Sequence, residues 1–150
     1  MTTSETVTDL ILRLDRNLNA PCSEVYTAWT DANALSQWFA PSSEFSVRVT
    51  ELDVRKGGRY RIEMHSPDGS TYTVIGEYVE VIPSLKLVMT WAWEQGDPPD
   101  EMLVTVEFTE DGDGTALTLI HEKLPNGESR VQHEEGWVGC LTSLETYLIP

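Results

Sequence analysis

Basic residues are scarce in this chain. Ten Lys and Arg stand against 25 Asp and Glu over 150 residues, a formal charge of −15. Such a chain lacks the positive footprint that nucleic acid and anionic membrane surfaces require, so neither is expected as a partner. Cysteine is scarcer still. Cys22 and Cys140 are too few for a disulfide framework. No apolar run is long enough to cross a bilayer, so membrane insertion is not expected. The start, "MTTSETVTD", lacks the basic and apolar regions of a secretory signal. The expectation is a cytoplasmic protein with reduced thiols. Also missing are a glycine-rich phosphate loop, a dinucleotide fingerprint, a nucleophile elbow and the spacing of a catalytic triad. His65, His121 and His133 do not have the local spacing of a zinc site. No metal and no cofactor are expected.

What is present is an ordinary globular composition, 40% hydrophobic, in a length that suits one domain over 1–150 with one core. "LILRLDRNLNAP" alternates Leu10, Leu12 and Leu14 with Ile11, Arg13 and Asp15, the pattern of a half-buried strand stopped by Pro21. "PCSEVYTAWTD" changes to helical spacing through Val25, Ala28 and Trp29. "NALSQWFAP" predicts a second, very short helix ended by Pro41, with Leu35, Trp38 and Phe39 on one side. From there the pattern predicts six strands separated by turns such as "SPDGS" and "DGDG". One strand carries Tyr60, Ile62 and Met64 on one face. The next carries Tyr72, Val74, Gly76 and Tyr78, and the next Leu85, Leu87, Met89, Trp91 and Trp93. "WEQGDPPDE" and "EKLPNGESR" read as irregular. The final stretch, from His133, places Trp137, Cys140, Leu141, Leu144 and Leu148 at helical intervals, with Glu134 and Glu135 in the early turns.

This order predicts an α+β fold. A curved seven-strand antiparallel sheet grips a long C-terminal helix, with two short helices after the first strand. A helix rarely fills such a concavity, so a pocket is expected where the short helices close it.

The segments "NAPCSEVYTAWTDANALSQWFAP", "GGRYRIEM", "GEYVEVIPSLKLVMTW", "TALTLIHE" and "GWVGCLTSLETYL", in this order, resemble the START-like helix-grip superfamily. More narrowly they resemble the branch named after the activator of heat shock protein 90 ATPase. The resemblance runs from about Leu10 to Leu148. It implies a helix-grip fold with an internal apolar cavity, as in lipid carriers, hormone receptors and polyketide cyclases. In the activator itself a further N-terminal domain precedes the one this chain resembles. A chaperone partner is therefore not expected here.

The leading expectation is a protein that holds a small apolar or aromatic molecule in an internal cavity. Trp38 is expected at the mouth, with Tyr60, Ile62, Met64, Tyr78, Met89, Trp91 and Trp137 in the wall and His121 and His133 as polar anchors. The plainer reading of Trp38 and Phe39 is a hydrophobic plug, and that of each histidine a satisfied structural residue. A second expectation is a cyclase- or hydrolase-type enzyme in which His121, His133, Tyr60 or Tyr78 moves a proton. A third is a chaperone-activating interaction module. A homodimer is compatible with all three. Gly76 is expected to deepen the hollow or to mark a bulge. Arg16, in phase with Leu14 and Leu18, is expected to pair with Glu80 or Glu107.

Overall fold

The alternating strand and short helix at the front of the chain fold as β1 (Leu12–Leu18), α1 (Cys22–Thr30) and α2 (Ala32–Trp38). The strands β2 (Ser46–Leu52), β3 (Arg59–His65), β4 (Thr71–Ile82), β5 (Lys86–Trp93), β6 (Met102–Asp111) and β7 (Gly114–Glu122) follow, then α3 (Gly127–Leu148). The structure is a computed structural model and describes residues 10–96 and 101–148. The polar N-terminal stretch and the Pro-Pro break at 97–100 lie outside the described residues.

All strand pairs are antiparallel, in the order β1-β7-β6-β5-β4-β3-β2. The sheet is thus a meander from β2 to β7, and β1 returns to its far edge. Bulges at Val49/Glu51 and at Tyr78/Glu80 add local bend and twist. The sheet curves around α3, which packs against β1 and α2. One continuous core runs from Leu12 and Leu18 through Leu87, Val104, Val106, Leu117 and Leu119 to Leu141 and Leu144 of α3. Their period-2 spacing on the strands and their close spacing on α3 put all of them on the concave side.

Local signals explain the boundaries. The Asp31 carboxylate accepts from Ala34 N at 2.9 Å and caps α2. The helix α3 begins six residues before His133, inside the stretch read as irregular. Asn126 supplies the reason: its side chain accepts from Ser129 N at 2.8 Å, and its carbonyl from Arg130 N at 3.1 Å. Glu128, not Glu134 or Glu135, is therefore the acidic residue of the first turn. The buried apolar face of α3 runs from its middle toward its C-terminus, at Trp137, Cys140, Leu141 and Leu144.

Two further expectations are corrected. Arg16 pairs with Glu145 of α3 at 3.5 Å and donates to Asp15 O. The reason is topological: β1 is an edge strand crossed by α3, whereas Glu80 sits on β4 and is held by Lys86 at 3.2 Å. Gly76 neither opens a hollow nor sits at the bulge. The ring of its cross-strand neighbour Tyr60 lies in the space above it and reaches the Thr90 carbonyl of β5.

Candidate functional site

At one end of the sheet, α3 stands off from β3, β4 and β5 and leaves a cavity of about 510 Å³. Its inner wall is Trp91, Trp137, Met64 and Cys140. Its outer wall is Phe45, Tyr72 and Trp93, and Gln132, His133, Glu135 and Gly136 form the helix side. Gly136 matters by what it lacks: a Cβ there would meet nothing within 4 Å. Pro41 closes the remaining edge, and its carbonyl lies directly against Gly139. This close approach needs a glycine on the helix, since any Cβ at 139 would overlap the Pro41 backbone. A second, more polar depression of about 620 Å³ lies on the other side of Pro41 and Phe45, along Ser43, Thr142 and Tyr147.

Two indole–imidazole pairs build the cavity's base. Trp93 Nε1 donates to His133 Nε2 at 2.9 Å, and Trp137 Nε1 donates to His121 Nδ1 at 3.0 Å. An indole nitrogen only donates, so both acceptor nitrogens carry lone pairs. That fixes the tautomers. His133 bears its proton on Nδ1, 2.8 Å from the Ser129 carbonyl. His121 bears its proton on Nε2, 3.3 Å from Met102 Sδ. The two imidazoles lie with centroids 4.6 Å apart.

Burial sets the protonation. Desolvation, then the neighbouring His133, push His121 down to about 3. Desolvation also lowers His133, against a smaller opposing effect of its bond to Ser129. Burial drives the Cys140 thiol up to about 12, and it raises Tyr60 and Tyr78 above the ordinary phenol value. Each of these groups is neutral at pH 7. The Trp91 indole N–H has no hydrogen-bond partner among the described residues and is sealed from solvent. Trp91 meets Trp93 edge-on, with centroids 5.6 Å apart, and tilts against Trp137 at 4.9 Å.

The expected residues divide into three groups. Met64, Trp91, His133 and Trp137 line this cavity together, and His121 lies behind it, bonded to Trp137. Tyr60, Ile62, Tyr78 and Met89 are buried in the core and do not line it. Trp38 is not a half-wet lid. It is 2% exposed, donates to Ala28 O at 2.9 Å and packs edge-on against Trp29 at 4.8 Å. It borders the second depression instead. Phe39 connects this plug to the cavity wall, with its ring 6.0 Å from Trp91 and 5.8 Å from Trp137.

Phe45, Gly136, Gln132 and Glu135 were missing from the expected wall. Tyr72 and Trp93 share the strand phase of the expected wall and were legible by that signal. Phe45 precedes β2 in a loop, where no period assigns it a side.

A seven-strand antiparallel sheet around a C-terminal helix, with an aromatic-walled cavity between them, defines a protein of the helix-grip class. A family model described as "Activator of Hsp90 ATPase homolog 1-like protein" matches residues 19–149, and the chain belongs to that family. Among solved structures, a protein from Chromobacterium violaceum is similar over 94% of this chain and 98% of its own, with 29% identity and a TM-score of 0.87. The AHSA1 protein from Silicibacter pomeroyi covers 92% of this chain and 96% of its own, with 27% identity and a TM-score of 0.81. A protein from Nitrosomonas europaea covers 97% of each chain, with 26% identity and a TM-score of 0.78. No curated protein matches. Among the described residues no helix is long and apolar enough to cross a membrane.

Proposed function

We propose that this protein binds a small apolar or aromatic molecule in the cavity between α3 and the β3–β5 end of the sheet. The observation that carries the reading is an open space of about 510 Å³, walled by Trp91, Trp93, Trp137, Phe45 and Tyr72. That is the volume and lining of a small-molecule site. Packing normally removes such a space, and here Gly136 keeps it open on the helix side.

Binding fits better than catalysis. General acid–base work at neutral pH needs a group that titrates there and a nitrogen free to meet the substrate. Both nitrogens of His133 and of His121 are engaged, and burial holds His121, Tyr60, Tyr78 and Cys140 neutral. The two cysteines are free thiols, which suits a reducing cytoplasm.

The test is titration with an apolar fluorescent probe, paired with Gly136→Leu. The wild type is expected to bind the probe in the micromolar range or tighter. Gly136→Leu fills the cavity from a position with no neighbour to strike, so it should abolish binding while the fold melts cooperatively. A wild type that binds no apolar probe, or a Gly136→Leu variant that binds equally well, overturns the reading.

A further inference from the structure

The cavity's lining is uneven in charge. Five aromatic rings line it, Phe45, Tyr72, Trp91, Trp93 and Trp137, and among the described residues Glu135 is the one acidic side chain on its wall. Among the described residues no Lys or Arg lines it. Arg130, one turn earlier on α3 than Glu134, is spent on the Ile11 carbonyl and on Glu134. Arg61 of β3 is held by Glu63 and Glu94.

The ring N–H donors beside the cavity are engaged or covered. Trp93 and Trp137 give their N–H groups to His133 and His121, and the Trp91 N–H is sealed from solvent. His133 gives its own proton to Ser129. An anion entering the cavity finds only the neutral donors of Gln132, Tyr72 and Cys140. A cation finds a wall of five aromatic rings, whose π-systems attract positive charge, and the side chain of Glu135. The charge of −15 on the chain adds a long-range field of the same sign.

We propose that the cavity selects organic cations: small apolar molecules carrying a quaternary ammonium or a protonated amine. This inference rests on the reading of the cavity as a ligand site, and it deepens that reading by fixing the ligand's charge. The rings take the apolar body and the cationic group, and Glu135 sits beside the charge at the rim. Fatty acids and other carboxylates are discriminated against.

Three probes of nearly equal shape test it: phenyltrimethylammonium, tert-butylbenzene and phenylacetate, each titrated by proton NMR and tryptophan fluorescence. The cation should bind about tenfold more tightly than its uncharged isostere. Phenylacetate should bind more weakly than either. The N-methyl resonance of the cation should move upfield, as ring currents demand. Glu135→Gln should reduce the cation's advantage severalfold and leave tert-butylbenzene unchanged. Gly136→Leu should weaken both probes. If tert-butylbenzene or phenylacetate binds as tightly as the cation, the charge inference fails and the apolar-ligand reading stands. If no probe binds, both fail. Cation binding that survives Gly136→Leu would be adsorption to the acidic surface and would also overturn the inference.

Discussion

Tyr60 and Gly76 face each other across β3 and β4, and the tyrosine ring occupies the space that a side chain at 76 would need. The ring passes over the glycine to donate its hydroxyl to the Thr90 carbonyl on the third strand. The Thr90 side chain meanwhile accepts from Glu77 N at 2.8 Å. Two side-chain bonds thus stand where the β4–β5 pairing passes over Gly76 and Glu77.

Gly76→Ala should therefore be among the costliest methyl additions in the protein. Its Cβ would overlap the Thr90 backbone as well as the Tyr60 ring. Backbone cannot rotate away as a side chain can. The expected loss is about 1–3 kcal/mol or more in a denaturant melt. A loss below about 0.5 kcal/mol would show that the Tyr60 ring and β5 move aside freely.

Two glycines of α3 should respond with opposite sign. Gly139→Ala pushes a methyl into the Pro41 carbonyl, and it should lower the melting temperature and loosen the 41–45 loop. Gly136→Ala enters open space and should raise stability by about 0.5–1 kcal/mol through helix propensity. Thermal melts of both variants check the pair, and equal signs would contradict the geometry.

Trp38→Ala should cost about 3–5 kcal/mol, the range for a buried aromatic, since Trp38 is 2% exposed. It removes a bond to Ala28 and the edge-on contact with Trp29. A cost under about 1 kcal/mol in a urea melt would return Trp38 to the role of a loose cover.

Acid should weaken the fold earlier than carboxylates alone would dictate. His121 is held at about 3 in the fold, against 6.5 when unfolded, and His133 is also lowered. A histidine depressed in the fold leaves stability intact above pH 6.5. Stability then falls as pH drops from 6.5 toward the folded value, because the unfolded chain takes up protons that the fold refuses. The slope approaches about 1.4 kcal/mol per pH unit for each histidine that stays neutral. Glu63 and Glu94 begin from 4.5 and are lowered further, so the window from pH 6.5 to 5 belongs to the histidines. Denaturation midpoints at pH 7, 6 and 5 should fall in that order, and a flat series would show His121 protonated within the fold.

Trp93→Phe should keep an aromatic ring in the wall, though a smaller one, and remove the N–H that His133 accepts. His133 Nε2 is then open to the cavity, and its proton affinity should rise toward the ordinary histidine value. An NMR titration of the His133 ring measures this directly. An unchanged titration would mean that burial, not the tryptophan bond, keeps His133 neutral.

The period of apolar residues by itself determined the order of elements, the antiparallel meander and the side of each strand that faces α3. Alternation and helical spacing are local properties that a chain displays before it folds. So the strand faces through Met64, Met89 and Trp91, and the helix face through Trp137, were legible. Tertiary structure decided how deep along each face the space stays open. Tyr60, Ile62, Tyr78 and Met89 share the phase of the cavity wall, yet they are buried in the core. Toward Tyr72, Trp93 and His133 α3 stands clear of the sheet. Pairings distant in sequence were equally hidden: Trp93 with His133, Trp137 with His121, Arg16 with Glu145, Pro41 with Gly139. Each depends on where α3 crosses the sheet. That crossing is set by the shape of the whole core, which no local spacing encodes.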